Sequence, residues 1–562
     1  MLLVLIRLKK MINYIFYFFI SLLPVFSVFG FNTAYLIIFA FSLLLLQIFK
    51  PQKITYSKIH IISLVLLVLI SLSTLFSKNI FLSFWGKGGE SLVAFLSIFI
   101  IFSFARIIKK EDIFKIIKFL FLGIFISMLL FFVKGGESEV LAIICSLSLI
   151  ITPYFKNRKI AIITSLILFS FLIFINIKIA WFIVILGTLF YIWKMLAGSK
   201  VKDKNFIGLI AIFLASLVFF NFSQPLKENV LPYNYSFSIV QGSLSESPKS
   251  FLIGSGLSTY NYQFSLYKDK EINLTNPYIV FEEGSDMLLT FIVTIGLLGV
   301  IALLFLFFIF YRKGFEDFTK KDNFIFPVLF CLSLLFIFYK INLLLILLFF
   351  IFLAFWDEKG KEIKLNKLLS LPFIIAFIII IFNHFNYLEA DNYYNKAVNY
   401  FNSEEPLIKS ITEAEKAVQK FNLSEYNMFI SKLYLLKASS YFEERWVTQE
   451  KINEQNELIE ENVLLSEKYA KQAVDIDGNN FQTWQKLGFL YENINFLIDD
   501  KTEEILTIYE KAKVLAPQNY EIYFAIGRVL EEEGKNEEAI EEYKKAFDLN
   551  PNDEKLIKKI GE

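Results

Sequence analysis

The sequence predicts an all-α protein in two parts: a polytopic membrane helical bundle of about thirteen spans, then an α-solenoid of stacked helix pairs. Three observations carry this. The chain of 562 residues is 56% hydrophobic and 18% aromatic, with a mean hydropathy of +0.55, where soluble domains are usually about 45–50% apolar. Nearly all the apolar runs precede residue 385 and most of the acids follow it, which divides the chain into a membrane part, 1–385, and a tail, 386–562. In the tail the pattern changes to helical pairs with a period near 34 residues.

The first apolar run follows Arg7, Lys9 and Lys10. No small-residue cleavage site follows it and another run comes at once, so it reads as a retained helix. Apolar segments fall at roughly 11–30, 33–49, 59–76, 91–106, 113–133, 139–155, 159–177, 179–196, 206–222, 285–311, 324–339, 341–356 and 369–385. Each is near the length that crosses about 30 Å of hydrocarbon. Single lysines, Lys178 and Lys340, separate two of the pairs.

The connections alternate in charge. One set holds roughly 24 Lys and Arg, among them Lys50, Lys53, Lys58, Arg106, Arg158, Arg312 and Lys361. The alternate short connections hold about five: Lys78, Lys87, Lys134, Lys178 and Lys340. Basic connections stay on the cytoplasmic side. The expectation is a multi-pass plasma-membrane protein with a cytoplasmic N-terminus, an external loop at about 223–284 and, after an odd number of spans, an extracytoplasmic tail. The net charge of +2 hides an acidic tail of about 35 Asp and Glu against about 21 Lys and Arg. That sign repels nucleic acid. Cys145 and Cys331 both lie in apolar runs, and His60 and His384 are the only histidines. No zinc site or His-rich metal cluster is expected, and no cofactor.

The stretch Phe251 to Gly299 is the expected working surface. A Gly-Ser-Gly turn, Gly254 to Gly256, leads into Tyr260, Tyr262, Phe264 and Tyr267. The acids Glu282, Glu283 and Asp286 follow, then a membrane-length helix with the step Gly296-Leu-Leu-Gly299.

Three stretches together resemble the O-antigen ligase and O-antigen polymerase superfamily of membrane glycosyltransferases. Leu72 to Gly86, ending Phe84-Trp85-Gly86, resembles the family's short outer segment after an early span. Ile177 to Gly187 resembles the helix that usually reads Ser-Arg-X-Ala-Trp, with Lys178 at the Arg position and Ala180-Trp181 retained. The Gly254/Gly256 turn, its aromatics and the Gly296–Gly299 step resemble the signature of the large external loop. The resemblance covers most of residues 1 to about 340. It implies transfer of a glycan from a polyprenyl-diphosphate donor to an acceptor outside the membrane. Fixed cations would steady the departing diphosphate, and a positioned base would take the acceptor proton. The family's usual His-Asn pair falls at Ser285-Asp286, so the His is absent, and no arginine lies between Arg158 and Arg312.

The candidate catalytic residues are therefore Lys178 for the diphosphate and Glu282, Glu283 or Asp286 for the proton. Candidate substrate contacts are Lys87, Lys249, Gly254, Gly256, Tyr260, Tyr267 and Lys268. Each has a plainer reading. Lys178 reads first as a tight turn with its ammonium in water. The acids read as a solvated helix start, with Ser285 as its N-cap. Lys268 and Lys270 read as a solvated charge run, and the glycines as a tight turn rather than a phosphate cradle. The tyrosines read as residues packed at the water–lipid boundary.

In the tail, Tyr523, Ile526, Gly527, Leu530, Ala539, Tyr543, Ala546 and Pro551 fall on the tetratricopeptide pattern. Trp484, Leu487, Gly488, Tyr491, Tyr509, Ala512 and Pro517 repeat it with about five extra residues near Asp499-Asp500. Ala473 with Gly478, and Ala417 with Asn422, mark earlier, more divergent units. About four units are expected to stack, with Glu443 to Glu461 an extended helix or a loop. Such stacks usually bind a peptide or protein segment. Two functions remain open: a lipid-linked-glycan transferase, and a non-catalytic membrane-anchored scaffold for cell-envelope assembly. The partners implied are the lipid bilayer, the polyprenyl-diphosphate glycan and a protein or peptide on the repeats, with no nucleic acid.

Overall fold

Helix formation follows the apolar runs closely. A computed structural model of the chain describes residues 2–561 apart from 30–32, 50–52, 87–89, 109, 135–137, 156, 198–203, 226–229, 276, 321–324, 358–359, 365–366, 444–448 and 498–500. It divides into two compact units: Met1–Ser236, Glu246–Ser258 and Glu283–Ile378 form one; Phe237–Ser245, Thr259–Glu282 and Ile379–Glu562 form the other.

Six helices among the described residues have the length and apolarity to cross a membrane, five of them wholly in the first unit. They are Lys58–Leu75, Asp112–Lys134, Arg158–Ile175, Lys178–Leu196, Met287–Glu316 and Leu371–Asn402, the last reaching into the second unit. This is fewer than the thirteen expected. The other seven apolar helices are shorter, 10–17 described residues each. Leu343–Trp356 gives the physical reason. Asn342 caps its start, Asp357 ends it, and all fourteen residues are buried. At 1.5 Å per residue it reaches about 21 Å, short of the ~30 Å of hydrocarbon. Uniform apolarity here marks a helix packed on every side.

Among the described residues the fold is helical apart from one two-stranded ribbon and an isolated bridge between Ile177 and Gln224. Lys53–Tyr56 pairs antiparallel with Lys361–Lys364, placing Ile54 opposite Ile363. This joins two of the lysine-rich connections. Arg106 brings in a third, meeting Asp357 of the Lys361–Lys364 connection in an ion pair of 2.9 Å whose side chains are 1% and 6% exposed. Ser57 also donates to Asp357. Cys145 and Cys331 are free and buried.

The helix Met287–Lys320 breaks at Gly296, whose φ of 70° and ψ of 179° are not helical. The break frees backbone carbonyls one turn upstream, and they must find other donors.

The second unit is built from helix pairs. Phe481–Leu497 pairs with Thr502–Leu515, and Tyr520–Glu532 with Asn536–Leu549; Glu554–Gly561 closes the series. A Cβ on Gly488 would lie 2.6 Å from the Tyr509 ring, and one on Gly527 2.6 Å from the Tyr543 ring. The two helices of each pair therefore touch through a glycine. Ala473, Ala512 and Ala546 are fully buried on the second helices. The turns repeat as well: Trp484 Nε1 donates to Gly478 O at 2.8 Å, and Tyr523 Oη to Pro517 O at 2.9 Å. Upstream, Leu407–Lys420 buries Ile411, Ala414 and Ala417 along one face. The oversized unit contains the 28-residue helix Gln449–Ile476, which takes up most of the stretch expected as extended helix or loop.

Candidate functional site

The Gly-Ser-Gly turn docks on the broken helix. Ser255 N donates to Val293 O at 3.0 Å and Gly256 N to Thr294 O at 2.9 Å, so the loop amides satisfy the carbonyls freed at the break. Ser73 Oγ donates to Thr294 O at 2.6 Å. Lys78 N donates to Ser255 O at 2.9 Å, and Ser83 Oγ to Leu257 O at 2.7 Å. Gly254 (φ 76°) and Gly296 (φ 70°) face each other across this junction. A Cβ on Gly296 would sit 2.5 Å from Gly254 N. Only glycine meets both the conformation and the approach. Gly254 N donates to Ser250 O at 3.0 Å. All three amides of the turn thus hold the loop in place, and none is left for a phosphate.

Beside the junction, Glu90 is buried. Its Oε2 accepts from Ser258 N at 3.2 Å and its backbone O from Ser258 Oγ at 2.5 Å. Its Oε1 is buried with no hydrogen-bond partner among the described residues. Burial pushes the carboxyl up to about 7, against the lowering effect of the Ser258 amide. Sequence reasoning passed over Glu90; the signal was an acid at the mouth of an apolar run, directly after the Phe84-Trp85-Gly86 segment.

A second polar cluster surrounds the start of the Met287–Lys320 helix. Asp286, not Ser285, is the N-cap: its Oδ1 accepts from Leu289 N at 2.8 Å. Ser285 Oγ instead donates to Leu231 O at 2.6 Å and meets Ser236 Oγ at 2.6 Å. The strap Tyr339-Lys340-Ile341 closes over this start. Met287 N donates to Tyr339 O at 3.0 Å and Ile341 N to Glu283 Oε2 at 3.2 Å. Tyr339 Oη donates to Glu139 Oε2 at 3.3 Å. Burial raises the Asp286 carboxyl, while the helix amides and the Tyr233 hydroxyl pull it back. Burial and the neighbouring Asp286 raise Tyr233. Asp286, Glu283, Glu139 and Tyr233 so form one acid-rich patch, linked by the backbone of the strap. Glu139 and the strap were read from sequence only as a helix start and a separator.

The other expected residues scatter. Lys178 is exposed at a tight turn, its N donating to Gln224 O at 3.0 Å and its Nζ 5.1 Å from the centre of the Phe220 ring. Trp181 is fully buried and bonds Asn176 Oδ1 at 3.0 Å. Lys249 is exposed near the Lys78–Glu246 ion pair of 2.7 Å. Lys87 lies outside the described residues. Glu282, Tyr260, Tyr267 and Lys268 belong to the other compact unit. There Tyr260 is fully buried, the Tyr267 ring packs against Gly242, and Glu282 is exposed. Lys268 is 7% exposed rather than solvated, and Nζ donates to Asn273 Oδ1 at 2.8 Å. Burial lowers its ammonium to about 8, partly offset by Glu521.

In the same unit a cavity of about 370 Å³ opens between first helices of successive pairs, lined by Phe489, Tyr520, Phe524, Arg528 and Tyr278 among others. With this geometry in view, the last full helix pair has a family: the stretch matches the description "Tetratricopeptide repeat". Residues 520–553 are a tetratricopeptide repeat. The solved structure of YrrB, described as a TPR protein with an unusual peptide-binding site, is similar at 15% identity over 30% of this chain and 89% of its own, with a TM-score of 0.18. No curated protein matches the sequence. Side-chain bonds link the 520–553 repeat to the helix pair before it: Tyr509 bonds Glu492 within that pair, and Arg528 pairs with Glu492 at 2.6 Å.

Proposed function

We propose that the chain is a plasma-membrane glycosyltransferase of the O-antigen ligase or polymerase type, with its N-terminus in the cytoplasm and its repeats outside, an arrangement that needs an odd number of crossings: the six long apolar helices and an odd number of the shorter ones. The observation that carries this reading is the convergence at the glycine junction. Two of the three stretches that resemble the family, Leu72–Gly86 and the Gly254–Gly299 signature, bond each other directly through Ser73, Lys78 and Ser83. The acid-rich patch at Asp286 begins the same helix that the junction grips.

In the reaction, an acceptor hydroxyl attacks the anomeric carbon of the donor sugar. The new C–O bond forms as the bond to the diphosphate breaks, and the polyprenyl diphosphate leaves with the electron pair. Asp286 takes the hydroxyl proton; its raised carboxyl brings it nearer to the working pH. Lys178, exposed at its turn, is the candidate positive charge for the leaving diphosphate, as a point charge rather than a bidentate grip. The tetratricopeptide repeats supply a protein- or peptide-binding element, as a cavity lined by aromatic and cationic side chains favours.

The test is deletion of the gene followed by analysis of envelope glycans. Loss or shortening of one glycan, restored by the wild-type gene, supports the reading; an unchanged profile removes it. One observation favours a scaffold instead: Asp286 already spends an oxygen as a helix cap, and Lys178 sits over a ring. For a scaffold, Asp286→Asn, which keeps the cap, would complement the deletion fully.

A further inference from the structure

We infer that the tetratricopeptide stack has a resident ligand, the chain's own segment 259–282, and that the repeats act as a clamp on the external loop. This does not rest on the transfer reaction; it holds equally for a scaffold.

The segment is flanked on both sides by residues of the apolar unit, yet it is part of the compact unit formed by the repeats. Its contacts fall on equivalent places in three successive units. Tyr262 Oη donates to Asp477 Oδ1 at 2.7 Å, just after the helix that ends at Ile476. Asn273 Nδ2 donates to Gln518 O at 2.9 Å, just after the helix that ends at Leu515. The same amide donates to Leu549 O at 3.3 Å, at the end of the next second helix. The segment thus runs along the row of turns between units. Helix C-termini leave carbonyls without partners, and one asparagine amide spans two turns. That match depends on the spacing between adjacent units, so it reads the stack rather than one repeat.

Apolar contacts reinforce the register. Helix Tyr260–Tyr267 packs on Thr502–Leu515, and Val280 packs against the repeat core. The Tyr278 ring lies 6.4 Å from the Tyr520 ring and lines the 370 Å³ cavity. Tyr260 and Phe264 are 0% and 1% exposed. These aromatics are therefore committed to the clamp and are not open to a sugar ring. A foreign peptide that used the same turns would have to displace the segment.

The experiment uses the purified full-length chain in detergent. Trypsin cutting after Lys268 and amide hydrogen exchange of 259–282 are followed in wild type and in an Asp477→Ala, Asn273→Ala variant. In wild type, the amides of 260–268 are expected to exchange at least ~100-fold slower than an open chain. In the variant, cutting after Lys268 is expected to speed up about tenfold or more while peptides from 520–549 keep their protection. Open-chain exchange of the segment in wild type overturns the inference, and so does unchanged cutting in the variant. If the variant also unfolds the repeats, the segment must open with them; a segment still protected on unfolded repeats overturns the clamp as well.

Discussion

Asp286 carries two separable jobs, one structural and one proposed. Removing its oxygen as a cap in Asp286→Ala is expected to cost about 1 kcal/mol of stability, read as a lower melting temperature. Asp286→Asn keeps an acceptor for Leu289 N and is expected to melt within a degree or two of wild type while failing to restore the glycan of a deletion strain. The Arg106–Asp357 pair gives a second residue-scale expectation. Both side chains are almost wholly enclosed, so Asp357→Ala strands a buried guanidinium and is expected to lower stability by about 3–5 kcal/mol. An exposed pair such as Lys409–Glu405 is expected to move the melting temperature hardly at all. Lys268 makes the pH case. Free lysine titrates near 10.5, and the docked one at about 8. Below 8 the ammonium is charged in both states and its burial cost is fully present. Between 8 and 10.5 the open chain holds a proton that the docked chain lacks, so docking strengthens as pH rises. The urea midpoint of wild type relative to Lys268→Met is expected to rise between pH 8 and pH 10. Taking the difference between the two proteins removes the tyrosines, which titrate in both.

At the scale of elements, legibility followed sequence distance. The repeats could be read because their packing is local: Gly527, Ala539, Tyr543 and Ala546 meet within one helix pair, and the spacing itself encodes the contact. Gly527→Leu is expected to force the pair apart and cost on the order of 1–3 kcal/mol, seen as a lower urea midpoint. The glycine junction was only half legible. The turn and the Gly296 step were visible, but Ser73 meets Thr294 across 221 residues and Ser258 meets Glu90 across 168. No local pattern marks such a pairing. The same holds for Glu139 with Tyr339. The span count was overestimated because apolarity alone does not separate a helix bathed in lipid from one such as Leu343–Trp356, packed on every side and cut short by Asn342 and Asp357. The aromatic run 260–267 reads from sequence as a surface ladder because part of its cover comes from far along the chain: Tyr262 bonds Asp477, 215 residues later.

Across the molecule's apolar unit, the connections sort by their contacts as they sort by charge. The lysine-rich ones meet each other: Lys53–Tyr56 with Lys361–Lys364, and Arg106 with Asp357. The charge-poor ones meet the loop and one another: Ser73 and Lys78 with the glycine junction, Asn176 with Gln224, Glu139 with Tyr339, and Ile341 with Glu283. The proposed chemistry requires the second set to face away from the cytosol together with the repeats. Because Cys145 and Cys331 are buried, single cysteines introduced elsewhere can report this cleanly. Intact cells carrying Ser245→Cys, Glu537→Cys or Lys159→Cys are treated with a membrane-impermeant maleimide. The account predicts labelling at 245 and 537 without permeabilisation and at 159 only after it; labelling at 159 in intact cells, with 245 or 537 protected until the membrane is opened, would contradict it.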